Sequence, residues 1–408
     1  MQLRASQGPP GSLRSFFLRL KRHTSSGLYV PELDGLRFVA IFFVFLYHLA
    51  GDVVRHNPPD VPPPTSTLYV LLEQLNIGVP LFFAISGMIL GLPFARYWLQ
   101  GGAPVSLKRY FLRRVTRLEP PYVAALLLLF SAKLLGHRGT VSEMLPHLGA
   151  SLVYLHTLLY RELSSINPVA WSLEVEVQFY ILAPLLALVF AVRAAWLRRA
   201  IIVTAILLAA LWTPWIADLN AARMNSLTWI KHLSLLGNIQ YFLAGFLLAE
   251  FFLLLPPATH RHRSWDVVSL LGWPALLYLL VAAPDFAFLT LPWLILALYL
   301  AVFYGPSSNR AFATVWVASI GGMCYSIYLL HNYAIASLGF LTERVGQTLP
   351  FAARFGIQLL LMTPIVLIIS IGFYLLIEQP CMRSDWPARL KAFLFRKNRS
   401  GALAAKGA

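Results

Sequence analysis

Long apolar runs follow one another along almost the whole chain. Examples are residues 181–192, 201–212, 291–303 and 356–377, which are separated by short polar segments. A helix that crosses a bilayer needs about 20 predominantly apolar residues, and several of these runs have that length or nearly have it. The pattern therefore predicts an all-α fold, a polytopic transmembrane helix bundle with no separate soluble core.

We predict about ten spanning helices, with ranges 36–53, 77–93, 121–136, 173–192, 200–217, 235–254, 267–283, 287–304, 313–340 and 353–377. One further helix, at 144–160, has leucines at helical spacing. If it spanned, every later basic loop would change sides, so we expect it to be interfacial or re-entrant. The proline-rich stretch 57–67 is expected to be an extended outer loop.

Composition and charge support a membrane location. The chain is 58% hydrophobic and 12% charged, whereas an average soluble domain has about 25% charged residues. The net charge of +16 lies in short loops between the apolar runs. We therefore attribute this positive charge to the control of membrane topology and to attraction to anionic lipid, and we expect no nucleic-acid partner.

The distribution of basic residues predicts the orientation. With the N-terminus in the cytoplasm, the only Lys and Arg residues that fall outside are Arg55, Lys133, Arg138, Arg161, Arg223, Lys231, Arg344 and Arg354. We therefore expect a multi-pass protein of the cell (inner) membrane with both termini cytoplasmic. Residues 1–32 and 381–408 are then basic cytoplasmic tails around a transmembrane domain at 33–380. Cys324 falls inside a span and Cys381 in the cytoplasm, so no disulfide is expected, and neither has a nearby thiol that would suggest a metal site.

The first span contains two ionisable residues. Arg37 and His48 are eleven residues apart, which is about 16 Å along a helix. Arg37 is therefore expected at the inner boundary and His48 in the outer half. A buried histidine can simply bond a neighbour, but ionisable groups inside a span are costly and are usually functional.

Arg114 and Arg117 are three residues apart at the inner start of the third span. This spacing puts both on one helix face, where two guanidinium groups suit a phosphorylated ligand arriving from the cytoplasm. The alternative is a charge cluster that only fixes topology.

Glu174 and Glu176 lie at the outer start of the fourth span, and His331 lies in the outer half of the ninth. The two glutamates point about 200° apart on a helix, so at most one faces the interior. The other is explained by the helix dipole, and polar residues around His331 could simply join helices. However, His48, Glu176 and His331 are all predicted at one level of the membrane, and this convergence indicates a site.

Six motifs resemble the acyltransferase-3 family of membrane acyltransferases. They occur in family order between residues 33 and 380. They are Leu33-Asp34-Gly35-Leu36-Arg37 with His48, Phe82-Phe83-Ala84-Ile85-Ser86-Gly87, Arg113-Arg114 with Arg117, Trp171-Ser172-Leu173 with Glu176 and Gln178-Phe179-Tyr180, Tyr325-Ser326-Ile327-Tyr328-Leu329 with His331, and Glu378-Gln379-Pro380. Each motif is weak alone, but six in order are specific.

The resemblance implies about ten helices and transfer of an acyl group from cytoplasmic acyl-CoA to a hydroxyl acceptor, usually a sugar on the far side. The family's Arg–His motif falls on Arg37 and His48, and its arginine pair falls on Arg114 and Arg117. The family commonly has a second carboxylate directly after the position of Glu176, where this chain has valine. We therefore prefer Glu176 to Glu174 as the functional carboxylate.

We expect a membrane O-acyltransferase that moves an acyl group, with acetyl as the expected one, from acyl-CoA to an envelope carbohydrate or lipid-linked glycan. The expected site residues are, as catalytic groups, His48, Glu176 and His331 and, as donor-binding groups, Arg37, Arg114 and Arg117. Tyr328 or Ser172 could donate to the oxyanion. The alternatives are a lipid or antibiotic-like acceptor or, from another class, a solute transporter, in which intramembrane His, Glu and Arg are equally expected.

Overall fold

The structure, a computed structural model, describes residues 13–20, 22, 29–56, 65–212, 232–339, 342, 345, 349–382 and 386. Every regular element in these ranges is helical, which confirms the all-α prediction. In chain order the α-helices are α1 Leu13–Arg19, α2 Pro31–Arg55, α3 Thr67–Glu73, α4 Gly78–Gln100, α5 Leu107–Leu135, α6 Val141–Leu152, α7 His156–Tyr160, α8 Trp171–Leu186, α9 Ala195–Trp212, α10 Leu235–Leu254, α11 Pro257–His260, α12 Arg263–Ala282, α13 Pro284–Tyr304, α14 Pro306–Phe312, α15 Val315–Gly322, α16 Cys324–Leu338, α17 Phe351–Phe373 and α18 Gln379–Cys381.

Eight helical segments within these ranges are long and apolar enough to cross a membrane. They are Pro31–Arg55, Thr67–Gln100, Leu107–Leu135, Pro168–Ala191, Ala195–Trp212, Leu235–Leu254, Arg263–Ala282 and Phe351–Cys381. A ninth is added if Leu289–Tyr304 and Pro306–Phe312, which meet at 94°, form one span. This number is close to the predicted number of about ten. The predicted ninth span at 313–340 is not among these segments, because it is interrupted. It consists of α15 and α16, which are separated at Met323 and are each too short to cross alone.

The third span begins much earlier than the apolar pattern predicts. Helix α5 starts at Leu107, where the Ser106 hydroxyl accepts a hydrogen bond from the Arg109 backbone N–H. It then continues through Pro120 and Pro121. The first turns of α5 are rich in arginine, so the pattern of apolar residues did not indicate that they belong to the same helix. As a result, Arg114 and Arg117 lie inside a long helix instead of just before it.

A close crossing of α4 and α10 forms the centre of the bundle. A Cβ at Gly87 would lie 2.1 Å from the Phe242 backbone oxygen, and one at Gly245 would lie 2.3 Å from the Ala84 oxygen. Glycine is therefore required at both positions, as is common where membrane helices approach closely. The Phe179 ring of α8 stacks on Phe242 with centroids 4.0 Å apart. This core holds α4 and α8, which supply Ser86 and Glu176, in fixed positions.

Helices α6 and α7 form a hairpin that folds back beside the second half of α5. The Tyr122 hydroxyl donates to the Ser151 backbone oxygen at 3.0 Å, and its ring stacks on Tyr154 at 4.6 Å. Because Tyr122 is more than three helical turns before the end of α5 at Leu135, the hairpin tip lies about 20 Å from that end. Helix α6 has only 12 residues and is too short to cross. We therefore interpret this hairpin as re-entrant, one of the two positions predicted for 144–160.

The bundle has a basic end and a distal end. The basic end is the one at which α2 begins and where the π-helical turn Tyr374–Glu378 follows α17. The distal end is the one at which α2 finishes at Arg55. Three predicted features lie mostly or partly outside the described residues. They are the outer loop at 57–67, the last part of the fifth span at 213–217, and the two tails.

Candidate active site

His48 and His331 lie against each other in the distal half of the bundle. Their ring centroids are 5.1 Å apart and the rings are tilted by 56°. Helix α2 supplies His48, which is partly exposed, and α16 supplies His331, which is fully buried. The structure thus brings together two of the three residues predicted to be catalytic.

The hydrogen bonds of His331 determine which of its nitrogens carries a proton. Its Nδ1 atom lies 3.0 Å from the Ile327 backbone oxygen and 2.9 Å from the Tyr328 backbone oxygen. Carbonyl oxygens only accept, so Nδ1 carries the hydrogen. The Nε2 atom is buried and has no hydrogen-bond partner among the described residues. A buried acceptor without a partner is uncommon, and it leaves a lone pair available for a proton.

Tyr328 connects the histidine pair to α8. Its hydroxyl donates to the Val169 backbone oxygen at 3.0 Å and lies 2.5 Å from the Ser172 hydroxyl. Its ring centroid is 5.9 Å from that of His331. The two residues considered as oxyanion donors therefore form one hydrogen-bonded pair one helical turn from the histidines.

Glu176 lies in a cleft between α5 and α8. It accepts a hydrogen bond from the Ser86 hydroxyl at 2.5 Å. The cleft holds a cavity of about 170 Å³, and its polar lining residues are Arg114, Glu119, Tyr154, Glu176, Tyr180 and Tyr325. Among the contacts described for Glu176, none is with His48 or His331. Of the three residues predicted at one level of the membrane, the structure shows contact only between the two histidines.

Glu174 has a different environment from Glu176. It is fully buried and accepts hydrogen bonds from the Thr157 backbone N–H at 2.8 Å and the Thr157 hydroxyl at 2.5 Å. This carboxylate therefore fastens the start of α7 to α8. The contact holds the hairpin in place and gives Glu174 a structural role.

Arg37 lies in a cluster of charged residues at the basic end. It is ion-paired with Asp34, whose carboxylate also lies 3.4 Å from Arg22. Arg117 lies within electrostatic range of Arg22, Arg37 and Glu378. We call these five residues, Arg22, Asp34, Arg37, Arg117 and Glu378, the basic-end cluster.

A glycine allows the basic-end cluster to form. A Cβ at Gly321 of α15 would lie 1.7 Å from the Asp34 backbone oxygen of α2. No side chain could occupy that space, so glycine lets the two helices touch where Asp34 and Arg37 are supplied. The charged groups of α2 are thereby held against the helices that enclose them.

Arg114 and Arg117 do not share their surroundings, although the sequence suggested one common ligand. The Arg114 guanidinium lies 3.5 Å from the centre of the Tyr110 ring and donates to the Tyr110 backbone oxygen at 2.6 Å. Arg114 faces the cleft that contains Glu176, whereas Arg117 belongs to the basic-end cluster. The sequence reasoning also did not assign roles to Ser86 and Arg22. Ser86 lies in a quoted motif, but Arg22 had no signal beyond the general basic charge of its segment.

Part of this chain is similar in sequence to proteins named O-acetyltransferases. A putative O-acetyltransferase of Staphylococcus aureus strain COL is 27% identical over 167 residues, which cover 39% of this chain and 24% of the relative. The peptidoglycan O-acetyltransferase OatA of Listeria monocytogenes is 28% identical over 182 residues, or 42% of this chain and 26% of the relative. The O-acetyltransferase OatA of Staphylococcus aureus strain NCTC 8325 is 27% identical over 179 residues, or 41% and 26%.

The matched part is thus about a quarter of the length of each of these relatives. No solved structure matches this chain. The family described as an acyltransferase domain, acyltransferase-3, matches residues 30–378, which confirms the resemblance seen in the six motifs, and the chain belongs to this family.

Proposed function

We propose that this protein is a membrane O-acyltransferase that moves an acetyl group from acetyl-CoA to a hydroxyl group of an envelope carbohydrate. The family supplies the reaction class, since its description is that of an acyltransferase. The names of the relatives, O-acetyltransferase and peptidoglycan O-acetyltransferase, support acetyl as the group and a glycan as the acceptor.

The observation that carries the proposal is the histidine pair with its free nitrogen. Acyl transfer to a hydroxyl needs a base within reach of the hydroxyl proton. His331 has a buried Nε2 lone pair and lies beside His48, which is partly exposed. His48 is then the base that meets the acceptor, and His331 orients it by accepting a hydrogen bond from it.

A second histidine pair in this chain shows that the required hydrogen bond is compatible with this ring separation. The rings of His147 and His156 are also 5.1 Å apart, and their Nδ1 and Nε2 atoms are 2.8 Å apart. We propose that His48 rotates within its site to make the same contact with His331. Catalytic hydrogen bonds are often long without substrate and become shorter when it binds.

In the proposed reaction the acceptor hydroxyl gives its proton to His48 while its oxygen attacks the thioester carbonyl carbon. The carbon–sulfur bond then breaks, and the imidazolium returns the proton to the leaving sulfur. The products are the acetyl ester and free CoA. The Tyr328–Ser172 hydroxyl pair, one helical turn from His331, is proposed to turn a hydroxyl proton toward the developing oxyanion. Glu176 is proposed to help to orient the substrates from the cleft between α5 and α8.

The donor is proposed to enter from the basic end, which we place in the cytoplasm of a cell whose inner membrane holds the protein. Arg37 and Arg117 of the basic-end cluster, together with Arg114, attract the phosphates of CoA. The distance from Arg37 to His48 is about 16 Å along α2. The pantetheine arm of the donor must cover this distance to bring the thioester to the histidines.

The test is turnover by purified protein in liposomes with no ion or solute gradient. We expect acetyl-CoA to be consumed, and CoA released, in proportion to acetyl ester formed on an added glycan. Mass spectrometry of envelope glycans from cells with and without the gene identifies the natural acceptor. If acetyl-CoA is not consumed, and a solute crosses the membrane once a gradient is imposed, the protein is a transporter and the proposal is wrong.

A further inference from the structure

We propose that Arg22, from the segment before the first span, is a donor-binding residue that completes a phosphate site with Arg37 and Arg117. This inference rests on the proposed function, because the phosphates are those of the CoA donor. Neither the family match, which begins at residue 30, nor the motifs include Arg22.

The segment that carries Arg22 is attached to the bundle at two points. The Ser319 hydroxyl donates to the Phe17 backbone oxygen at 2.8 Å, and the Gln379 side chain donates to the Arg19 backbone oxygen at 2.9 Å. Leu20 is fully buried. Arg22 is therefore placed by α15 and by the chain that follows α17, and its side chain is only 15% exposed.

The basic-end cluster has more positive than negative charge. Asp34 is shared by Arg22 and Arg37, so one carboxylate faces two guanidinium groups. Glu378 accepts hydrogen bonds from the Ser326 backbone N–H, at 3.0 Å, and from its hydroxyl. Arg117 has no carboxylate within 4.0 Å in the described ranges of the chain. Three arginines therefore stand against two carboxylates in a partly buried space, where an uncompensated cation is costly.

Arg22 itself has capacity for another ligand. Its Nε atom is buried and has no hydrogen-bond partner among the described residues, while its Nη1 atom faces Asp34. Burial, and after it the nearby charge of Arg37, lowers the pKa of Arg22. An anion would relieve both the repulsion and the missing hydrogen bond. A planar guanidinium group suits phosphate, because two parallel N–H groups match its oxygens.

The competing explanation is that Arg22 only attaches the N-terminal segment to the bundle through its ion pair with Asp34. We call this role a structural clip. Phosphate dependence separates the two roles, because a clip acts equally on every donor. S-acetylpantetheine carries the same thioester as acetyl-CoA but no phosphate. We therefore compare both donors with Arg22→Gln and Arg22→Lys, and use Arg19→Gln as the control. Arg19 is an exposed arginine three residues away on the same segment.

We expect Arg22→Gln to raise KM for acetyl-CoA by about tenfold or more, the usual size for a charge-assisted hydrogen bond. Its kcat, and its KM for S-acetylpantetheine, should stay within about twofold of wild type. Arg22→Lys, which keeps the charge but loses the planar fork, should fall between wild type and Arg22→Gln. Arg19→Gln should equal wild type with both donors.

Several results would overturn the inference. Equal KM increases with both donors in Arg22→Gln and Arg22→Lys would make Arg22 a structural clip. Kinetics of both variants like those of Arg19→Gln would give it no role. If wild-type protein turns over acetyl-CoA, these results leave the proposed function intact. If wild-type protein turns over neither donor, the proposed function fails and this inference fails with it.

Discussion

The buried Nε2 atom of His331 has no hydrogen-bond partner among the described residues, and the ring of His48 lies beside it with centroids 5.1 Å apart. Two backbone carbonyls of the preceding helical turn hold the Nδ1 proton of His331 in place. The lone pair of Nε2 is therefore fixed in position by the helix itself. This arrangement is well suited to orienting a second imidazole, which supports the role that we propose for His48.

We predict that His48→Ala lowers kcat by about 10²- to 10⁴-fold, the usual contribution of a general base, with little change in KM for acetyl-CoA. His331→Ala should lower kcat by less, since it acts through His48. Initial rates of CoA release by purified variants measure both effects. His260→Ala is the control, because His260 is exposed on α11. If His48→Ala retains more than about a tenth of wild-type turnover, His48 is not the base.

Arg113, Arg114 and Arg117 of α5 should differ according to their surroundings. We predict that Arg114→Ala and Arg117→Ala weaken CoA binding, measured by calorimetry, by about tenfold each, since each loses a charge-assisted contact. Arg113→Ala is the matched control, because Arg113 directly precedes Arg114 on the same helix but is exposed. Binding to wild-type protein should also weaken as salt rises, and less so in the two variants. Normal CoA binding by both variants would leave these arginines as topology signals only.

The contact between Glu174 and Thr157 should stabilise the fold without taking part in the chemistry. We predict that Glu174→Ala lowers the free energy of unfolding by about 1–3 kcal/mol, because the buried Thr157 N–H and hydroxyl lose their acceptor. Thr157→Val should cost less, since its backbone N–H keeps the carboxylate. Thermal unfolding in detergent measures both, with Asp285→Ala, an exposed carboxylate, as the control. Equal stability of Glu174→Ala and wild type would show that the hairpin does not depend on this contact.

Depth in the membrane could be predicted from the sequence because the rise of a helix per residue is constant. This is why His48 and His331, each counted from the inner start of its own predicted span, were expected at one level and are found together. Rotation about the helix axis was less predictable. Arg114 and Arg117 are close on a helical wheel, but the offset between them is enough for Tyr110 to hold one and the basic-end cluster to surround the other.

Contacts that depend on folding back of the chain could not be read from the pattern. Arg22 looked like any other basic residue of the first 32, because nothing local indicates that Leu20 is buried and that Ser319 and Gln379 hold its segment. In the same way, the hairpin at 141–160 gave an ordinary helical pattern. Its depth follows from the packing of Tyr122 on Tyr154 and Ser151, which are distant in sequence from α5.

The central claim is that the donor and the acceptor reach one site from opposite faces of the membrane. It is tested most directly in sealed vesicles of known orientation, with acetyl-CoA and a membrane-impermeant glycan acceptor supplied on chosen sides. The arrangement of arginines at the basic end and histidines in the distal half predicts CoA release only on the cytoplasmic side. It also predicts acetylation of the glycan only when it is supplied on the opposite side. Acetylation of an impermeant glycan supplied solely to the cytoplasmic side would contradict the account.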